Sequence, residues 1–185
     1  MKAFIAVDVQ NDFCPSGALP VPGGDQVVPV LNEYIRRFRA VGAPIYATRD
    51  WHPANHMSFK EQGGIWPVHC VQNTPGAEFR SDLDLPEDVV VISKATEPDQ
   101  EAYSGFQGTD LAADLRARSV KQVFIGGLAT DYCVKSTVLD SLEAGFETYL
   151  LTDASRGVDV QPGDSEKAIE GMIAAGAHPI TLADL

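Results

Sequence analysis

Short runs of β-branched and apolar residues alternate along the chain with segments whose apolar positions recur every three or four residues. Residues 3–9 (AFIAVDV) read as a buried strand, and residues 44–48, 89–93, 122–126, 147–152 and 178–182 repeat that pattern. Over residues 25–39, Val27, Val30, Leu31, Tyr34, Ile35 and Phe38 fall at helical spacing, with Gly42 beyond them as a stop. Further helices are expected over 110–118, 131–144 and 164–175. Continuous apolar strands separated by helices predict an α/β protein. The expected architecture is a three-layer α/β/α sandwich, with a mostly parallel sheet of about six strands and helices on both faces. The 185 residues fit one domain, 1–185, with a sizeable core.

Two stretches break the alternation. Residues 15–24 form a Gly/Pro-rich loop. Residues 49–86 hold both tryptophans and three of the four histidines but little periodicity. A loop that long inside a compact domain is usually functional.

Composition narrows the function. Hydrophobic residues at 44% and charged residues at 22% are ordinary for a globular protein. No apolar run approaches the roughly 20 residues that span a bilayer, and the N-terminus lacks the pattern of a signal peptide. A formal charge of −12 argues against nucleic acid and anionic membranes as partners. Three cysteines, none in a C-x-x-C pair, argue for a reduced compartment, and the cytoplasm is the expected location. Nothing in the pattern decides between a monomer and a homo-oligomer.

The reactive residues share a placement. Ligands of open parallel sheets bind at the carboxyl ends of the strands. Asp8, Asp50 and Lys94 lie at or just past the ends of the first three strands, and Cys133 follows the fourth. A lone helical cysteine is more often a small buried hydrophobe than a nucleophile. Here Thr130 is a candidate N-cap that would put Cys133 at the third helical position, where the helix dipole and a nearby lysine favour thiolate. Asp8 alone would be a loop-organising carboxylate and Lys94 alone a surface lysine. Beside Cys133, they suit acid–base work. Cys14 and Cys70 are expected to be structural.

Asp50 and His52 form an Asp-x-His pair, which an extended backbone points to one face, and His69 offers a third ligand from a later loop. Such a nitrogen and oxygen set suits zinc, iron or manganese. The same residues would also serve as hydrogen-bond partners within the loop, and spacing alone does not separate the two roles. His56 is open between fourth ligand, partner behind the ligands, and solvated side chain. His178 is expected to be structural. Phe13, Trp66 and Tyr103 lie in or beside the rim loops, where they either cap the core or clamp a flat ring.

With these motifs in view, the chain resembles the nicotinamidases among the isochorismatase-like cysteine hydrolases, over essentially its whole length. The resemblance rests on Asp8-Val9-Gln10-Asn11-Asp12-Phe13, Asp50-Trp51-His52-Pro53 and Trp66-Pro67-Val68-His69-Cys70-Val71. It continues in Glu101-Ala102-Tyr103-Ser104-Gly105-Phe106 and Gly127-Leu128-Ala129-Thr130-Asp131-Tyr132-Cys133-Val134. The segment after Lys94, Ala95-Thr96-Glu97-Pro98, departs from the Gly and Asp more usual there. The resemblance implies a catalytic triad of Asp8, Lys94 and Cys133, and one divalent metal on Asp50, His52 and His69, zinc ahead of iron or manganese. It also implies a cis peptide between Leu128 and Ala129, and an oxyanion hole from the N–H groups of Ala129 and Cys133. Phe13, Trp66 and Tyr103 would hold the ring. The implied activity is hydrolysis of nicotinamide to nicotinate and ammonia through a cysteine thioester, in NAD salvage, with pyrazinamide also accepted. Hydrolysis of another small amide or of isochorismate is the nearest alternative, and a non-enzymatic ligand-binding module lies far behind.

Overall fold

The computed structural model describes residues Met1–Leu185. Six strands, β1 (Lys2–Val7), β2 (Ile45–Asp50), β3 (Val90–Lys94), β4 (Gln122–Leu128), β5 (Glu147–Arg156) and β6 (His178–Ile180), form one sheet in the order β3-β2-β1-β4-β5-β6. Every neighbouring pair is parallel, so the sheet is wholly rather than mostly parallel. Four helices cover it: α1 (Val27–Ala40), α2 (Leu111–Ala117), α3 (Lys135–Glu143) and α4 (Asp164–Ala174).

Alternation along the strands sorts the core into two layers. Phe4 and Ala6 of β1 pack on the α1 side with Leu31, Tyr34, Ile35 and Phe38. Ala3, Ile5 and Val7 face the other layer, where Leu111, Leu115, Val138 and Met172 of α2, α3 and α4 meet them. Helices thus lie on both faces, one against three. No helix is long and apolar enough to cross a membrane.

The strand order reverses direction between β1 and β4, the kind of crevice in which parallel sheets bind ligands. Gly127 makes the two strands approach closely there. Its φ is +131°, and a Cβ would stand 2.2 Å from the Val7 carbonyl oxygen. Only glycine fits that backbone and that contact.

Residues between β2 and β3 do not form regular elements, as expected. They are tied down instead by single bridges, His52 to Val71, Phe59 to Trp66 and Gln10 to Phe79, together with two short 3-10 turns, Lys60–Gln62 and Pro75–Ala77. The helix expected over 131–144 begins differently. Thr130–Val134 is a π turn with Ala129 in the N-cap position and no side-chain cap, and α3 starts only at Lys135. Thr130 is therefore not the cap, and Cys133 is the fourth residue of the π turn.

Candidate active site

Each reactive side chain leaves the sheet at a strand end. Val7 closes β1, and Asp8 turns the chain out of the sheet with a φ of +50°. Asp50 and Lys94 are the last residues of β2 and β3 and face each other in register. Gln10 fixes the first of these two. Its side-chain oxygen accepts the Asp50 N–H at 2.8 Å, and its amide nitrogen donates to the carbonyls of Asp50 and Ala77 at 2.8 and 2.9 Å.

Lys94 stands at the centre, completely buried. Its ammonium donates to Asp50 Oδ1 and, at 3.3 Å, to the Ala102 carbonyl. It also lies 2.9 Å from Asp8 Oδ2 and 3.5 Å from Cys133 Sγ. Burial alone would lower this ammonium, but Asp50, then Asp8, outweigh it and hold it well above its ordinary value. Asp8 Oδ1 accepts from Thr48 Oγ1 at 2.6 Å. Oδ2 meets Lys94 only as an ionic contact and is the one buried side-chain oxygen or nitrogen without a hydrogen bond. Burial raises the Asp8 carboxyl, against the pull of Lys94.

Cys133 is 6% exposed, and burial carries its thiol well above the ordinary value, with Lys94 opposing and Asp8 and Asp50 adding to the rise. The sequence suggested a thiolate favoured by a helix start. Desolvation and the two carboxylates push the other way, against the one ammonium. A carboxylate oxygen of Asp8 lies within 4.8 Å of the Cys133 sulfur, near enough for a base that could take its proton.

The second cluster adjoins the first. Asp50, His52 and His69 are buried, and their potential ligand atoms lie within 4.8 Å of one another. The Nδ1 of His52 lies 3.0 Å from the Ala95 carbonyl, and that of His69 lies 2.7 Å from the Pro67 carbonyl. A carbonyl only accepts, so both rings carry their proton on Nδ1, which leaves each Nε2 lone pair free. Those Nε2 atoms face Asp50 Oδ2 at 3.5 and 3.8 Å. Histidines locked by a carbonyl behind them and turned toward a carboxylate fit a divalent cation. Asp8, Asp50 and Cys133 are also close enough to form a ligand set. That set already surrounds the Lys94 ammonium, which serves as its cation.

His56 is fully buried rather than solvated. Its Nδ1 meets Ser58 Oγ at 2.8 Å and its Nε2 meets the Gln100 carbonyl at 3.0 Å, while its ring stacks on His52 with centroids 4.1 Å apart. Both of its nitrogens are engaged in hydrogen bonds, and it lies outside the group formed by Asp50, His52 and His69. His178 lies at the start of β6, its ring beside that of Tyr149, far from this chemistry in the fold.

A small apolar pocket reaches both clusters, at Cys133 of the first and at Asp50 and His69 of the second. Phe13, Trp66 and Tyr103 line it together with Asp50, His69, Ala129 and Cys133. Trp66 Nε1 donates to Tyr103 Oη at 2.9 Å, which braces the two rings against each other. The peptide between Leu128 and Ala129 is cis. The structure therefore brings every residue expected at the site to one rim. It adds Leu19, Val21, Leu128, Tyr132 and Val158 to the pocket wall. Tyr132 packs edge-on against Trp66 at 5.0 Å. Its place next to Cys133 was the one available signal. Cys14 and Cys70 are buried free thiols in the α1-side core.

A model of the isochorismatase domain matches residues 2–184. The chain belongs to the isochorismatase domain family. Within that family it is 43% identical to the nicotinamidase of Escherichia coli K12, over 99% of this chain and 96% of that protein. Among solved structures it is similar to the pyrazinamidase of Pyrococcus horikoshii in complex with zinc, at 61% identity and a TM-score of 0.94, covering 98% of this chain and 99% of that one. It is also similar to PnC1 from L. infantum in complex with nicotinate, at 31% identity and a TM-score of 0.87, covering 99% and 93%. These isochorismatase-family neighbours share the six-stranded sheet and its helical layers.

Proposed function

We propose that residues 1–185 form a single amidohydrolase domain that converts nicotinamide to nicotinate and ammonia, with pyrazinamide as a second substrate. The observation that carries this reading is that Cys133 lines an aromatic pocket together with Asp50 and His69, while Lys94 and Asp8 meet one another buried behind it, Lys94 within 3.5 Å of the Cys133 sulfur. The nicotinamidase and pyrazinamidase relatives, one solved with zinc and one with nicotinate, support the same substrate class.

Phe13, Trp66 and Tyr103 hold a flat ring. Asp50, His52 and His69 would hold a divalent metal, zinc ahead of iron or manganese, which would supply Lewis-acid chemistry toward a ring nitrogen. Asp8 Oδ2 takes the thiol proton of Cys133 while the Lys94 ammonium stabilises the sulfur anion. Sulfur bonds to the amide carbon, and the carbonyl electron pair moves onto oxygen. The N–H groups of Ala129 and Cys133 face that oxyanion, each such donor being worth on the order of 3 kcal/mol in transition-state stabilisation. The Ala129 N–H has no partner elsewhere in the protein. Asp8 returns its proton to the nitrogen, the C–N bond breaks, and ammonia leaves a thioester. Asp8 then takes a proton from water, whose oxygen attacks the thioester carbon. The C–S bond breaks, and the thiol recovers its proton.

The charge of −12 and the free cysteines fit a cytoplasmic protein whose partner is a small molecule rather than nucleic acid or membrane. The test is ammonia release from nicotinamide by the purified protein, with chelator-treated and Cys133→Ala samples alongside. Release that both controls lose supports the reading. A metal-loaded protein that releases none from nicotinamide or pyrazinamide overturns it.

A further inference from the structure

One part of the pocket lining comes from a segment with no catalytic chemistry, residues 157–159 between β5 and α4. Val158 is half-buried and lines the pocket beside Leu128 and Tyr132. This strap is held by one carboxylate. Asp131 Oδ1 accepts the Val158 N–H at 2.9 Å and Oδ2 accepts the Asp159 N–H at 2.8 Å. Asp131 belongs to the same π turn as Cys133, two residues before it. The turn that carries Cys133 and the segment that carries Val158 are therefore joined by a single side chain.

The rest of the strap leaves little freedom. Asp159 has a φ of +51°, and its carboxylate accepts both the N–H and the Oγ of Ser165 at 2.8 Å. At Gly157 a Cβ would stand 1.7 Å from Ser165 Oγ and 3.1 Å from Asp131 Oδ1. The strap is pinned from both ends, by Asp131 on the catalytic side and by Ser165 at the start of α4. A wall fixed in this way sets a hard size limit, since a well-packed apolar surface admits or rejects a methyl group by contact alone.

We infer that Val158 sets the upper size of the ring the pocket accepts, and that Asp131 is the positioning residue that holds Val158 in register with Cys133. The inference rests on the amidohydrolase reading and adds to it the determinant of substrate range. The excluded class is alkyl-substituted pyridine carboxamides, and the accepted class is the unsubstituted ring.

The test compares kcat/KM for nicotinamide with that for ring-methylated nicotinamides, one isomer for each ring carbon that does not bear the carboxamide, in the metal-loaded wild type, Val158→Ala and Asp131→Asn. Val158→Ala should improve at least one methyl isomer relative to nicotinamide by about tenfold or more. Asp131→Asn should shift the ratio for that same isomer in the same direction, raising KM for nicotinamide more than it lowers kcat. Should Asp131→Asn fail to fold, Ser165→Ala, which loosens the other end of the strap, should give a smaller shift for the same isomer. An unchanged ratio in Val158→Ala overturns the inference. So does an Asp131→Asn that lowers kcat equally for every amide, which would place its effect on the catalytic turn alone. A wild type that releases no ammonia from any of these amides overturns the underlying reading instead.

Discussion

Lys94 and Asp50 are partners across two neighbouring strand ends, and the carboxylate that receives the ammonium on one oxygen turns its other oxygen to His52 and His69. The cluster around Cys133 and the candidate metal cluster are thus joined through one aspartate. Removing the lysine would leave Asp8 and Asp50 buried beside each other without their cation. Breaking a buried pair in this way typically costs about 3–5 kcal/mol. Lys94→Met should lose that much stability in urea unfolding and lose ammonia release as well. A variant as stable as the wild type would show that the two carboxylates do not depend on Lys94.

Cys133 should be dispensable for everything except turnover. Cys133→Ala should reduce ammonia release by at least about 10⁴-fold, as loss of a nucleophile does in other hydrolases. Its metal content by elemental analysis and its circular dichroism should match the wild type. Substantial residual turnover would mean that the covalent step is not on the path.

The histidines should separate by role. His52→Ala removes an Nε2 that faces Asp50, so competition against a chelator should show metal affinity reduced far more than in His56→Gln. For His56→Gln the expected loss is about 10–100-fold, the range for partners that only orient a ligand. Equal losses in the two variants would make His56 a ligand after all.

Alkaline pH should destabilise the fold in part through Cys14. Burial pushes this thiol up to about 11 from an ordinary value near 9. Its contribution is complete below about pH 9, where the thiol is protonated in both folded and unfolded chains. As pH rises from 9 to 11 the unfolded chain loses the proton first, so stability falls, by roughly 2–3 kcal/mol for a shift of this size. Unfolding midpoints at pH 8 and pH 10.5 should therefore differ less in Cys14→Ala than in the wild type. Identical differences would assign the alkaline loss to other groups.

How much of this was legible in the sequence depends on how local each signal was. Asp50 and Lys94 end apolar strands, so the parallel sheet and its ligand-binding edge followed from pattern, and with them the rim that gathers the reactive side chains. The upward push of burial on the Cys133 thiol was not legible. It depends on burial by elements far apart in the chain, and the helix-start argument that favoured thiolate assumed a regular α-helix where a π turn occurs. Tyr132 and Val158 were missed for the same kind of reason. A pocket wall is made by whichever side chains a turn and a distant loop happen to present, and neither carries a periodicity. His56 was left open because spacing cannot show which of its nitrogens is already engaged.

Gln10 has a consequence of its own. Direct strand pairing between β1 and β2 ends where Asp8 leaves the sheet, yet two residues later a side-chain carboxamide stands in for a peptide group and grips both backbone polar atoms of Asp50. The chain can swing its base into the pocket without letting go of the neighbouring strand. The covalent length of one glutamine thus bridges the gap that opens between the two strands at the site. Swapping the surrounding loops for those of a relative should leave that gap unchanged as long as the glutamine stays.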